Sequence, residues 1–206
     1  MAKPVRKKKY TREVTNSRLF RVLIKLAIAI RSIKRKNQHL VEEWLRKFSD
    51  FIYAEDNKNF DTIKLGKYKA GDIIYAEFGY NVGSEYGGRH YAIVIENSPL
   101  KADMIMVVPL SSLPPFKTEE DVHRNDAYLG ELSELNKIAH SMEGTRSVAI
   151  INQTRAIAKQ RIVAPVNKFH ERIFIDGPLL GLIYDKLKTR YTTQGLKREN
   201  EREKDE

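Results

Sequence analysis

The sequence predicts an α+β protein: a helical extension, then a small twisted β-barrel with a C-terminal helix. Three observations carry this. Before residue 54, apolar residues recur at spacings of three and four. After Gly71 they fall into short runs rich in β-branched and aromatic residues. The last apolar run returns to helical spacing.

The chain has 206 residues, enough for one domain of ordinary size plus extensions. Hydrophobic residues make up 41% and charged residues 31%, so a core can form. There is no cysteine, which excludes disulfides, thiolate zinc sites and a cysteine nucleophile. The absence is compatible with a reducing compartment, and a cytoplasmic location is expected. The apolar stretch Leu19–Ile30 is interrupted by Arg21 and Lys25 and lacks a small-residue cleavage site, so neither a signal peptide nor a membrane span is expected.

The net charge of +10 is placed unevenly. Residues 1–36 hold thirteen Lys/Arg and one acidic residue, Glu13, for +12. Residues 37–63, 64–188 and 189–206 sum to −3, +1 and 0. A basic arm of this kind meets nucleic acid or an anionic surface, or is simply a solvated tail.

Element by element, residues 1–16 read as a flexible basic arm. Residues 17–63 form the helical extension. Ser17 is the expected N-cap of a first helix running to about Lys36, apolar through Leu19, Leu23, Leu26 and Ile30 with a cationic rim. Asn37 is a candidate break, with a hairpin or one bent helix both open. Val41, Trp44, Leu45, Phe48 and Ile52 place a second helix to about Tyr53, and residues 54–63 read as turn. Strands are expected at Ile73–Phe78, Tyr91–Ile95, Met104–Val108, Val148–Ile151 and around Arg155–Val163. A Gly-rich loop separates the first two, and a long polar loop follows Pro114–Pro115. Gly177–Arg190 reads as the closing helix, so the main domain spans 64–190. The charged tail, 191–206, is expected to lack order.

The informative stretch is Gly71-Asp72-Ile73-Ile74-Tyr75-Ala76-Glu77-Phe78, followed by Gly83-Ser84-Glu85-Tyr86-Gly87-Gly88-Arg89-His90-Tyr91 and an apolar strand. Two later pieces join it: Val107-Val108-Pro109-Leu110-Ser111-Ser112, and Ser147–Ile157 around Gln153 and Arg155. In this order and spacing the four pieces resemble the MazF/PemK toxins of type II toxin-antitoxin systems, over residues 66–188. That family opens its first strand with Gly-Asp, continues through Gly-Ser-Glu and further glycines to an Arg-Pro pair, and ends a later strand in Thr/Ser. The resemblance implies an SH3-like, MazF/CcdB-like barrel that forms a homodimer. It also implies sequence-specific cleavage of single-stranded RNA without a metal or other cofactor, and a cognate antitoxin whose acidic tail covers the RNA groove.

Metal-free RNA cleavage uses the 2′-hydroxyl as nucleophile, leaving 2′,3′-cyclic phosphate and 5′-hydroxyl ends. It needs a base, donors for the charge developing on the phosphate, and an acid for the leaving 5′-oxygen. Matched by position, the Thr/Ser site is Ser111 and the loop carboxylate is Glu85. The family arginine falls on His90, with Arg89 one residue early and Tyr91 in place of the proline. Either His90 transfers the proton while Arg89 holds phosphate, or the loop shifts and Arg89 takes the family role; position and strand alternation favour His90. A third reading is a non-catalytic module that binds nucleic acid or a protein such as a topoisomerase, as the related CcdB toxins do. Arg155, Gln153, Ser112 and Tyr86 are candidate RNA contacts. The bland alternatives are a half-buried histidine, a strand-end serine cap and a surface ion pair. The acidic run Glu119–Asp121 reads as a solvated loop rather than a metal site.

Overall fold

The computed structural model describes residues 18–57, 60–164 and 172–192. The expected basic arm, the Ser17 cap and the charged tail beyond Thr192 lie outside these residues. The chain divides into two compact units, residues 1–49 and 50–206.

The first unit contains α1 (Arg18–Ser32) and most of α2 (Arg35–Asp56). The break falls at Ile33–Lys34, earlier than the expected Asn37, which lies inside the first turn of α2. Side chains around the junction explain the position. Gln38 Nε2 donates to the Ile33 carbonyl at 2.7 Å and to the Arg31 carbonyl at 3.2 Å, satisfying carbonyls that a helix end leaves unpaired. At its other end α2 runs to Asp56, past the expected Tyr53. A short 3-10 helix, Thr62–Leu65, follows, with the Asp61 carboxylate accepting from Ile63 N at 3.0 Å.

The second unit is built from β1 (Ile73–Glu77), β2 (Arg89–Val94), β3 (Met104–Leu113), β4 (Ala127–Gly130), α3 (Ser133–Ala139), β5 (Arg146–Ala149), β6 (Arg155–Ala158), β7 (Ile162–Ala164) and α4 (Gly177–Tyr191). The seven strands pair antiparallel in the order β4-β5-β3-β2-β1-β7, with β6 also on β3. The expected barrel is therefore an open one, with β4 and β7 ending the path. β3 is the hinge of the architecture. Its first half pairs with β6 and β2, and from Leu110 onward it pairs with β5. Pro109, which has no N–H to give to a ladder, stands where the strand changes partners.

Both sheet faces are covered, and the alternation in β1 shows how. Ile73 joins one core with Ile93, Val108, Leu135 and Ile183, while Ile74, Ala76 and Phe78 join a second with Ala92, Val94, Ile105 and Ile157. Strands buried on two faces read as continuous apolar runs rather than alternating ones. α4 closes the first core through Ile183, Leu179, Leu180, Leu182 and Leu187. Asp176 caps it, accepting from Leu179 N at 2.9 Å.

The Gly71-Asp72 pair has a structural role. Gly71 sits at φ +95°, and a Cβ there would lie 3.1 Å from the Ile175 carbonyl oxygen. The Ile175 N–H donates to that same Gly71 carbonyl at 3.0 Å. The buried Asp72 carboxylate accepts from Lys69 N at 2.8 Å and from Arg172 Nη1 at 3.2 Å. Together they tie the segment leading into α4 to the start of β1.

Some boundaries differ from expectation. β2 starts two residues earlier, and β3 runs on past Val108 through Pro109. The single strand expected at Arg155–Val163 is two, split by a 3-10 turn at Lys159–Arg161, because β6 pairs with β3 and β7 with β1. β4 and α3 lie in a region expected to be loop.

Candidate active site

The loop joining β1 to β2 is a strapped hairpin. Phe78 N donates to the Gly88 carbonyl at 2.7 Å and Gly88 N to the Gly79 carbonyl at 2.6 Å. A Cβ on Gly87 would come within 2.6 Å of the Gly79 carbonyl oxygen, and Gly88 holds φ +84°, so neither position accepts a side chain without distortion. Asn81 Nδ2 binds the carbonyls of Phe78 (3.2 Å) and Tyr86 (2.7 Å) across the loop. From outside it, Gln153 accepts from Tyr86 N at 2.9 Å and donates to the Ser84 carbonyl at 3.3 Å.

This strapping positions His90. Its Nε2 lies 2.8 Å from the Gly87 carbonyl oxygen. A carbonyl only accepts, so Nε2 carries the proton, and a neutral ring then leaves Nδ1 as its acceptor. The Tyr86 ring lies against the imidazole, with centroids 4.2 Å apart. Burial lowers the His90 pKa below its ordinary value, opposed by the Gly87 hydrogen bond and the Glu77 charge. Tyr86 donates its hydroxyl to the Leu110 carbonyl at 2.7 Å. Burial raises the phenol pKa, so the group keeps its proton near neutrality.

Arg89 stands directly opposite Glu77 in the β1–β2 register. Its Nε lies 3.1 Å from Glu77 Oε2, with the two side chains 42% and 5% exposed. The carboxylate is buried while the guanidinium keeps a face to solvent. Glu77 also accepts from Gly79 N at 3.3 Å.

A cleft of about 430 Å³ opens beside these groups, within the ~300–1,000 Å³ range of small-ligand sites. Arg89, His90, Tyr86, Ser111 and Ser112 all border it. Alternation alone would send Arg89 and His90 to opposite faces. Both reach the cleft because they are the first residues of β2, where the sheet gives way to the loop. Glu85 is exposed on the loop and does not line the cleft. Gln153 and Arg155 do not line it either. Arg155 Nη2 donates to Gln153 Oε1 at 2.7 Å, and its guanidinium sits 5.6 Å from the Phe78 ring centroid. In this arrangement the two residues brace the loop from behind.

The sequence reading missed part of the cleft wall. Asn136 and Ala139 of α3, then Ser141 and Ser147, form the far side. Asn136 anchors its side chain on the Thr145 carbonyl at 2.7 Å. The available signal was the spacing Leu132, Leu135, Ile138, too short to separate a seven-residue helix from loop. Tyr75 also borders the cleft, its ring 4.7 Å from that of Tyr91. The acidic run Glu119–Asp121 is a 3-10 turn in which Asp121 accepts from Thr118 N at 2.7 Å.

The PemK-like, MazF-like toxin family of type II toxin-antitoxin systems matches residues 69–176. The chain belongs to this family. The match runs from just before β1 to the residue that caps α4, so the cleft lies within it and α1, α2 and α4 lie outside. The chain aligns with crystal structures from Deinococcus radiodurans. MazF (Form-I) aligns over 59% of this chain and 94% of that one, at 16% identity and a TM-score of 0.39. MazE-MazF (Form-II) aligns over 59% and 93%, at 19% identity and a TM-score of 0.39. MazE-MazF (Form-III) aligns over 59% and 94%, at 18% identity and a TM-score of 0.37. No curated protein matches the chain in sequence. Among the described residues no helix is long and apolar enough to cross a membrane.

Proposed function

We propose that the protein is the toxin of a toxin-antitoxin pair and cleaves single-stranded RNA, in a sequence-specific manner and without a metal. The observation that carries this reading is the convergence of His90, Arg89, Tyr86 and Ser111 on one cleft inside the family-matched segment.

The proposed step is an internal transesterification. The 2′-oxygen forms a bond to its own phosphorus as its proton passes to His90 Nδ1. The bond from phosphorus to the 5′-oxygen breaks, that oxygen takes up a proton from solvent water, and His90 returns its own to solvent. The products carry a 2′,3′-cyclic phosphate and a 5′-hydroxyl. A neutral imidazole suits the base role near neutral pH. The outer face of Arg89 and the Ser111 hydroxyl offer donors to the phosphate, with Ser112 a further contact at the rim. Exposed Glu85 and the brace residues Gln153 and Arg155 act through the loop. The working form is proposed to be a cytoplasmic homodimer, held inactive by a cognate antitoxin with an acidic tail.

Long single-stranded RNA in EDTA, incubated with purified protein, tests the reading. Discrete cuts with cyclic-phosphate ends are expected, reduced by roughly 10²–10⁴ in His90→Ala, the usual contribution of a general base. The same ends from Arg89→Ala at a smaller loss separate phosphate holding from proton transfer. A folded, antitoxin-free protein that cuts no RNA, and binds RNA or a topoisomerase instead, overturns the reading. The ion pair that engages Arg89 with Glu77 is the feature favouring that second outcome.

A further inference from the structure

α1 carries an apolar surface that the helix itself does not bury. It has fifteen residues and none is buried. Leu19 is 60% exposed and Val22 55%, and Leu23 and Leu26 are also exposed. At about 100° per residue, the residues from Ala29 through Val22, Leu26, Leu19, Ile30 and Leu23 to Ala27 follow one another around an arc of about 160°. Arg18, Lys25 and Arg21 flank the Ala29 edge of the arc, and Phe20, Arg31, Ile24 and Ile28 fill the rest of the circumference. No acidic residue occurs between Glu13 and Glu42, and residues 1–36 carry +12.

Both halves of this surface need a partner of matching chemistry. RNA phosphates would satisfy the basic side and leave the apolar arc in water. A second copy of the helix would cover the arc but bring another strongly cationic segment against the first. A neutral partner helix would cover the apolar arc and leave the basic side without counter-charge. An anionic bilayer surface meets both requirements: acyl chains take up a broad apolar arc, and headgroups offer negative charge to which long basic side chains reach back. At about 1.5 Å per residue α1 is about 22 Å long, shorter than the ~20-residue helix needed to span a bilayer.

We infer that α1 is an interfacial anchor that lies on membranes containing anionic phospholipid. The attachment is peripheral and reversible, and it is independent of whether the cleft cleaves RNA.

Flotation of the full-length protein tests this, using vesicles of phosphatidylcholine alone or mixed with phosphatidylglycerol. The protein is expected to float with the mixed vesicles and not with the neutral ones. Substituting Leu19→Gln, Leu23→Gln and Leu26→Gln together should reduce the partition coefficient by more than tenfold (order of magnitude, from the lost apolar burial). Arg21→Gln with Lys25→Gln should reduce it roughly 25-fold, at roughly fivefold per charge. Far-UV circular dichroism and the thermal transition are recorded for each variant; since α1 contributes no buried side chain, the second unit should melt unchanged. The inference is overturned if wild type does not float with anionic vesicles. It is also overturned if the leucine variant floats as well as wild type, which would assign binding to the basic residues alone. A wild type that stays off vesicles but loses an oligomeric state on leucine substitution would identify a second copy as the occupant.

Discussion

His90 is neutral near pH 7 because burial disfavours its charged form, and this has consequences for both activity and stability. As the base in the proposed step, His90 must be deprotonated. Activity is therefore expected to hold steady from neutrality through about pH 6.5, the ordinary imidazole value, and to fall only below it. A kcat/KM profile on a short RNA checks this; a falling limb centred above pH 6.5 would rule His90 out as that base. For stability, the folded pKa lies below the unfolded one. The unfolded chain then binds more protons, so the contribution is complete above about pH 6.5 and is lost as pH falls through the folded pKa. Thermal melts of His90→Gln should show a weaker pH dependence in that window than wild type. Tyr86→Phe tests the neighbouring hydroxyl. It keeps the ring against His90 but removes the hydroxyl's bond to the Leu110 carbonyl. Losing one such part-buried hydrogen bond costs about 1 kcal/mol of stability, while the loss of the hydroxyl from the cleft wall it shares with Ser111 should reduce kcat more than it changes KM. The position of His90 was legible in the sequence, because the glycines and the apolar strand fix it from both sides. Its contacts were not, because the Gly87 carbonyl and the Tyr86 ring meet it only through the closed shape of the loop.

At the scale of elements, the site depends on a hairpin loop held by side chains far apart in sequence. Gln153 follows β5 and reaches across to Tyr86 and Ser84, so the family-like Gln-x-Arg segment works here as a brace. Gly87 is the tightest point. An added methyl would meet backbone, the Gly79 carbonyl oxygen at 2.6 Å, and backbone cannot rotate away as a side-chain tip can. Gly87→Ala is expected to destabilise the protein by about 1–3 kcal/mol, the usual range for forced overpacking. It should also lower RNA cleavage by more than that stability loss explains, because the Gly87 carbonyl orients His90. Urea unfolding beside activity under fully folded conditions separates the two; unchanged activity would mean that the loop tolerates a wider turn. Strand positions were legible where both faces are buried, since Ile73–Ala76 and Tyr91–Ile95 show unbroken apolar runs. β4 and α3 were not, since four and seven residues are too few to show a period. Their placement is decided instead by pairing with β5 and by packing of Leu129 and Leu135 into the first core.

For the whole molecule, the distribution of buried residues predicts how the two units share stability. Both hydrophobic clusters draw their members from residues 65–187. In the helical extension Val41 is the one buried hydrophobic among the described residues. α2 crosses the boundary between the units, and its last turns belong to the second, where the Phe51 carbonyl accepts from Gln160 Nε2 at 2.9 Å. A chain starting at Asp50 therefore keeps both clusters, the Asp72–Arg172 ion pair and the whole cleft. It is expected to fold alone and to melt cooperatively within a few degrees of the full-length protein, since a 1 kcal/mol change shifts the midpoint by ~2–4 °C at this size. On the proposed function it cleaves RNA at the full-length rate under low-salt conditions, and on the proposed anchoring it no longer floats with anionic vesicles. Calorimetry and flotation of the truncated chain measure both. A truncated chain that aggregates, or melts many degrees lower, would mean that the extension covers apolar surface of the second unit. The exposed side of α1 would then be the outer face of a structural layer rather than a membrane-facing one. The charge distribution argues for separate roles: +12 lies in residues 1–36, while residues 64–188 carry only +1. A helix whose task was to cover a core would need the apolar arc and a polar outer side, but not a segment from Val14 to Val41 that holds no acidic residue.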